Sequence, residues 1–331
     1  MSQILKHLLL SILLITIGAI TGWILHSRST LSTAENNGVS LRLSSDVFPM
    51  IKPLLACSID AKNPTAEYND LKKSLEDSVA RLTASGDIES AGIYVRNLDN
   101  GFWTSVNGDN EYVPASLMKI VTMFVYLLQA DTDPSVLNET ITIYTTDENA
   151  SQNIVPEKTA EVGKAYTVQE LLELMMEYSD NTAKRALVEK MSIPIFQQVL
   201  EALELPMLTN DETARYTISP RLYSRFLRIL YNSTLISQKN SEIALEWMAK
   251  SNYTAGLVKG IGESATIAHK FGETSIDNPD GSSSFQHHDC GIVYSENPYA
   301  ICIMTQGKDL SILAKSIASF ANTVNTFMVT Q

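Results

Sequence analysis

The chain has 331 residues, 44% hydrophobic and 19% charged, which suits a globular protein of one large or two ordinary domains whose core needs no disulfides. Its formal net charge of -12 and pI near 4.9 come without any Lys/Arg-rich block, which excludes a phosphate-gripping surface and a nucleic-acid partner. Cys57, Cys290 and Cys302 are widely spaced and contain no C-x-x-C, so they signal neither a disulfide framework nor a zinc ribbon; their ordinary role is small apolar filler, with a single bridge from Cys57 left open.

Residues 8–25 form an 18-residue stretch without a formal charge. It is longer than the usual apolar region of a signal peptide and lacks a clear A-x-A cleavage site, which favours a retained membrane anchor over residues 1–27 rather than a cleaved signal. Residues 28–65 are Ser/Asn-rich and read as a tether, except that the apolar patch at 48–55 is expected to dock on the domain that follows, 66–331. There Leu71, Leu75, Val79 and Leu82 repeat as a helix. Residues 91–98 alternate as a strand, and Asp99-Asn100-Gly101 turns the chain into a second strand over 102–106.

Pro114 opens a run, 116–128, that is apolar on nearly every side and reads as a helix buried in a core. Lys119 is out of place there. At 3.6 residues per turn Ser116 and Lys119 share a face, so the amine and the hydroxyl come within hydrogen-bond reach. Burial disfavours charged lysine, which lowers its pKa towards neutrality, where the amine takes a proton from serine. The same wheel allows a plainer arrangement, in which Ser116, Lys119, Thr122 and Tyr126 form a solvated stripe with a snorkelling lysine.

Residues 132–164 are polar and irregular, with a strand-like piece at 140–144. Thr167 and Glu170 make a capping box for a helix whose inner face is Leu171, Leu174, Met175 and Tyr178. It stops at Ser179-Asp180-Asn181, and further helices are expected over 182–191, over 193–203 and from Pro220, with a loop at 206–219. Residues 265–272 read as a strand, 274–287 as a polar turn region, and 291–294 with 299–304 as a hairpin across Asn297-Pro298. Asp309 then starts a closing helix through Leu313, Ile317, Phe320 and Val324. This order predicts an α+β fold: an antiparallel sheet flanked by the terminal helices, an all-helical lobe from the middle of the chain, and a ligand cleft between them.

Three short strings occur once each and in this order: S-x-x-K at Ser116 to Lys119, S-D-N at Ser179 to Asn181, and K-x-G at Lys270 to Gly272. The set resembles the S-x-x-K, S-D-N and K-T-G of class A β-lactamases and penicillin-binding proteins, and the resemblance spans residues 68 to the C-terminus. It implies a class A β-lactamase-like fold and acyl-enzyme chemistry with neither cofactor nor metal. Ser116 would attack, Lys119 would accept its proton, and Ser179 would relay a proton to the leaving amine. Asn181 would hold Lys119 and the substrate amide, Lys270 would anchor the substrate carboxylate, and the backbone N–H groups of Ser116 and Glu273, beyond Gly272, would form the oxyanion site.

The chain departs from that pattern twice. Lys-Phe-Gly lacks the hydroxyl of the third motif, for which Thr274 is the candidate substitute. The E-x-x-L-N string that carries the deacylating Glu is absent, and Glu212 is the candidate base in its place. His269, His287, His288 and Asp289 mix a strand with a turn and include no H-E-x-x-H, which points to packing or substrate contact rather than a metal. The expected function is hydrolysis of a β-lactam amide through Ser116. The alternatives are a D-alanyl-D-alanine carboxypeptidase or penicillin-binding protein acting on peptidoglycan stems, and a non-hydrolytic cell-wall-binding module. The expected setting is extracytoplasmic, tethered through residues 8–25, as a monomer.

Overall fold

The structure, a computed structural model, describes residues 46–53, 67–145, 152–206, 216–278 and 281–330, all of them within a unit running from Arg42 to Gln331. The apolar stretch at 8–25, Cys57 and Glu212 lie outside the described residues. Among the described residues no helix is long and apolar enough to cross a membrane.

Helix α1 (Asn69–Ser85) buries Leu71, Leu75 and Val79 and stops at Gly86, whose φ of 78° lets its N–H reach the Leu82 and Thr83 carbonyls. Strands β1 (Ser90–Asn97) and β2 (Trp103–Val106) form the expected hairpin, its turn fixed by Asn97 Oδ1, which accepts from the N–H groups of Asp99 and Asn100 at 2.9 Å. A single 3-10 turn (Ala115–Met118) leads into α2 (Lys119–Thr132). A small ribbon, β3 (Thr140–Thr142) with β4 (Ala165–Thr167), precedes α3 (Val168–Glu177). The expected capping box opens α3: Glu170 N donates to Thr167 Oγ1 at 3.2 Å and Thr167 N to Glu170 Oε2 at 2.7 Å. Helices α4 (Asn181–Lys190), α5 (Ile193–Ala202), α6 (Pro220–Asn232), α7 (Gln238–Ala249) and α8 (Leu257–Ile261) follow. Strands β5 (Thr266–Asp277), β6 (Ser283–Tyr294) and β7 (Tyr299–Gly307) and helix α9 (Leu310–Met328) close the chain.

The sheet order is β2-β1-β7-β6-β5, antiparallel throughout. One face packs Ile93, Val95, Val293, Ile301 and Ile303 against Leu71 and Leu75 of α1 and Leu313, Ile317 and Phe320 of α9. The other face, with Ala268, Cys290, Ile292, Cys302 and Met304, joins the core of the helical lobe around α2 and α6. Terminal helices on one side and a helical lobe on the other are the layers anticipated from element order.

Some local expectations are corrected. Residues 274–287 are not a turn region. β5 and β6 pair without a break from Thr266↔Tyr294 to Asp277↔Ser283, and Asn278 N donates to the Ser282 carbonyl at 2.8 Å just beyond the last pair. The strand alternation is hidden because Gln286, His288 and Asp289 are buried with hydrogen bonds where apolar residues would ordinarily reveal it. Cys290 and Cys302 are not filler thiols: they stand opposite each other on β6 and β7 and form a disulfide. Helix α7 is a further element beyond those expected. Its buried Glu242 accepts from Met50 N at 2.9 Å and Ile51 N at 3.1 Å, which seats part of the apolar patch, residues 50–51, on the helical lobe.

Helix α6 ends on Ser233, a non-glycine residue at φ 51°, whose hydroxyl is buried and finds no partner among the described residues. Ser233→Gly removes the left-handed strain and the stranded hydroxyl together. It should raise stability by about 1 kcal/mol in urea denaturation. A loss of stability would contradict this reading of the cap.

Candidate active site

Ser116 sits in the 3-10 turn that feeds α2, half-buried, directly after Ala115 at φ 48°. A left-handed non-glycine residue costs about 1–2 kcal/mol and persists only where its surroundings hold it. The holders here are on β6: Val113 N donates to Gln286 Oε1 at 2.8 Å, and His288 Nε2 donates to the Val113 carbonyl at 3.0 Å. His288 is neutral, because burial pushes its pKa down to about 3. Leu117 N closes the turn on the Pro114 carbonyl at 3.0 Å.

Lys119 begins α2 and is 3% exposed, with Thr122 and Tyr126 buried beside it, so the stripe is not a solvated one. Its amine reaches across to the second motif rather than resting along its own helix: Nζ donates to the Ser179 carbonyl at 2.5 Å and to Ser179 Oγ at 3.1 Å. Ser179 is itself left-handed at φ 60°, which turns both oxygens towards the amine. Asp180 fixes that turn, accepting from Thr182 N at 2.9 Å, Thr159 Oγ1 at 2.7 Å and Ala160 N at 2.8 Å. Asn181 follows as the half-buried first residue of α4.

The third motif lies on β5, the edge strand facing the helical lobe. A Cβ on Gly272 would meet Pro114 O at 2.8 Å and the N atoms of Ser116 and Leu117 at 3.1 Å, so only glycine lets the strand lie against the nucleophile turn. That approach sets Gly272, the residue before Glu273, against Ser116 N. The Glu273 carboxylate accepts from Asn153 N at 2.7 Å, Asn153 Nδ2 at 2.5 Å and Ile154 N at 3.2 Å. Gln152 Nε2 donates to the Ser179 carbonyl at 3.1 Å, so residues 152–154 join the second motif to the third.

Lys270 and Thr274 are placed differently from expectation. Lys270 is 0% exposed, and its amine donates to the Phe271 carbonyl at 3.0 Å. Burial pushes its pKa down to about 7, with Asp289 pulling weakly the other way. Thr274 is four residues, about 13 Å of strand, from Lys270. Its hydroxyl donates to the Ser275 carbonyl at 3.2 Å, and the residue lines the cavity beside the nucleophile turn.

Beside the turn a cavity of about 570 Å³ is lined by Met118, Val121, Val188, Phe196, Leu200 and Tyr216, among others, with Lys184 as its one charged residue among those described. Behind β5, His269 Nδ1 and Asp289 Oδ1 are 2.8 Å apart, Leu257 N donates to Asp289 Oδ2 at 2.8 Å, and Tyr253 OH meets His287 Nε2 at 2.8 Å. These residues bond to one another as packing groups, with His269 Nε2 and His287 Nδ1 left buried without a hydrogen-bond partner among the described residues, where no His, Cys, Asp and Glu group is arranged to hold a metal. Tyr253, Gln152 and Gln286 have no motif to mark them. Gln286 alone has a signal in the sequence, a run of polar residues long enough to be a strand, while Gln152 and Tyr253 stand in loops.

Residues 71–328 match the profile of the beta-lactamase enzyme family. A Bacillus licheniformis beta-lactamase is 25% identical over 238 residues, covering 67% of this chain and 75% of that protein. Beta-lactamase 3 of Bacillus cereus is 24% identical over 198 residues, covering 56% of this chain and 61% of that protein. Among solved structures, PBP-A superposes with a TM-score of 0.66 at 24% identity, over 81% of this chain and 99% of that one. The TLA-3 extended-spectrum beta-lactamase gives 0.66 at 17% identity, over 78% and 99%. With three motifs converging on one turn in this fold, the chain belongs to the beta-lactamase enzyme family and is a serine hydrolase with a class A β-lactamase-like architecture.

Proposed function

We propose that the protein is a β-lactam-reactive acyl-hydrolase in which Ser116 is the nucleophile. The observation that carries this reading is the Lys119 amine, buried one helical turn from Ser116 and hydrogen-bonded to Ser179 at 3.1 Å. In acylation a bond forms between Ser116 Oγ and the amide carbon, and the amide C–N bond breaks. The serine proton passes to Lys119 and on through Ser179 to the leaving nitrogen. The oxyanion is met by the backbone N–H groups of Ser116 and Glu273. Water then cleaves the ester, returning Ser116 and releasing the acid.

A second reading, a penicillin-binding D,D-peptidase, is favoured by the cavity beside Ser116. Among its described lining residues there is no carboxylate to activate the deacylating water. The candidate Glu212 lies outside the described residues. The likeness to PBP-A, a mutant of which was solved as an acyl-enzyme complex with penicillin G, supports the same reading. For location we propose an extracytoplasmic domain tethered through residues 8–25. The Cys290–Cys302 disulfide supports an oxidising compartment.

Incubation with a fluorescent penicillin is expected to label the wild type covalently and to leave Ser116→Ala unlabelled. Release within seconds would favour the β-lactamase, and retention for minutes or longer the peptidase. A folded wild type that takes no label at millimolar penicillin would favour the cell-wall-binding module and overturn the proposal.

A further inference from the structure

The amine that should receive the substrate carboxylate is roofed by aromatic rings. Lys270 Nζ stands 4.2 Å from the centroid of the Phe271 ring and donates to the Phe271 carbonyl, while the whole residue is 0% exposed. Phe271 is itself buried and stacks on Tyr253, centroids 4.1 Å apart and planes at 24°. Tyr253 is pinned in turn through its hydroxyl to His287 Nε2 at 2.8 Å. Behind the rings Asp289 is fully buried and held by His269 and Leu257 N. A carboxylate seeking Lys270 has to displace a stacked pair and then desolvate in the field of a buried carboxylate.

We propose that Phe271, held by Tyr253, takes Lys270 out of ligand contact, so that Ser116 gains nothing from a charge on the leaving side and accepts esters, or amides without a carboxylate beside the scissile nitrogen, as readily as their carboxylate-bearing counterparts. This rests on the acylation of Ser116 proposed above and names the substrate class of that site. The reaction balances as before, and only the recognition of the leaving portion differs. The low pKa of Lys270 fits, since at neutral pH a large share of the amine is uncharged and offers a carboxylate little. With a threonine at 271 the ring is gone and a hydroxyl stands where carboxylate-binding relatives of this motif have one.

The experiment compares acylation of the full chain by benzylpenicillin and by its methyl ester, followed by intact mass. The wild type should acylate the two at rates within about threefold of each other, and Phe271→Thr should favour the free acid by about tenfold or more, the value of one charge-assisted hydrogen bond. Tyr253→Leu, which strips the stacking partner and leaves Phe271 in place, should shift the ratio in the same direction and covers the case in which Phe271→Thr does not fold. A second readout is independent of Ser116. Under acetic anhydride Lys270 should stay unmodified in the wild type while the exposed Lys73 reacts, and should become reactive in either variant. A wild type that already prefers the free acid tenfold, an unchanged ratio in both folded variants, or a Lys270 that acetylates as fast as Lys73 would each overturn the proposal. If neither donor acylates the wild type, the Ser116 reading fails, and the acetylation pattern still decides whether Lys270 is sealed.

Discussion

Replacing Lys119 by methionine should slow acylation of Ser116 by between about 10²- and 10⁴-fold, the range a positioned general base contributes. The apolar side chain fills the same channel in the helical lobe, and what it removes is the amine that donates to Ser179 O and Oγ. Those two oxygens are left without that donor at a cost of about 1–3 kcal/mol, so the variant should fold with a lowered melting point. Lys119→Arg is the informative control. A guanidinium keeps the charge and the donors but does not release a proton at any accessible pH, so it should acylate no faster than the methionine variant. Single-turnover labelling followed by mass checks both variants. A rate within tenfold of the wild type in either would remove Lys119 from the role of base.

Lys270→Met should alter how stability depends on pH. The folded amine has its pKa pushed down to about 7 by complete burial, against 10.5 for an ordinary lysine. Between those values the unfolded chain binds more protons than the native one, so this group makes stability rise with pH through the window from 7 to 10.5. At pH 7 the lysine therefore holds stability about 4 kcal/mol below the level it permits at high pH. Methionine titrates nowhere. Urea denaturation at pH 7, 8 and 9 should show the wild type gaining about 1 kcal/mol per pH unit relative to the variant, with the variant the more stable at pH 7. Parallel curves would mean that Lys270 is charged and compensated in the folded state.

Much of this architecture is legible because its elements carry their own punctuation. The capping box at Thr167 and Glu170, Ser219-Pro220 ahead of α6 and Asp309 ahead of α9 mark helix starts by satisfying backbone N–H groups, a local requirement that a sequence displays directly. Ser116, Lys119, Ser179 and Gly272 are legible for a related reason: chemistry and close backbone approach restrict them to one or two residue types. The second half of β5 and the start of β6 are not. Their inward positions include Gln286, His288 and Asp289, polar groups that are stable only because Val113, His269 and Leu257 N, remote in sequence, complete their hydrogen bonds. The disulfide is hidden for the same reason, since only the β6–β7 register sets Cys290 opposite Cys302. Phe271 is visible as a departure from the motif, but its consequence depends on Tyr253, a residue from the loop before α8 that no local pattern links to the strand.

Every step of the proposed chemistry passes through an acyl group on Ser116, and peptide mapping after exposure to benzylpenicillin reads that bond itself. A mass increase equal to the whole penicillin is expected on the peptide containing Ser116, absent from Ser116→Ala and much delayed in Lys119→Met. Modification of a different residue, or equal modification of the Ser116→Ala protein, would refute Ser116 as the nucleophile.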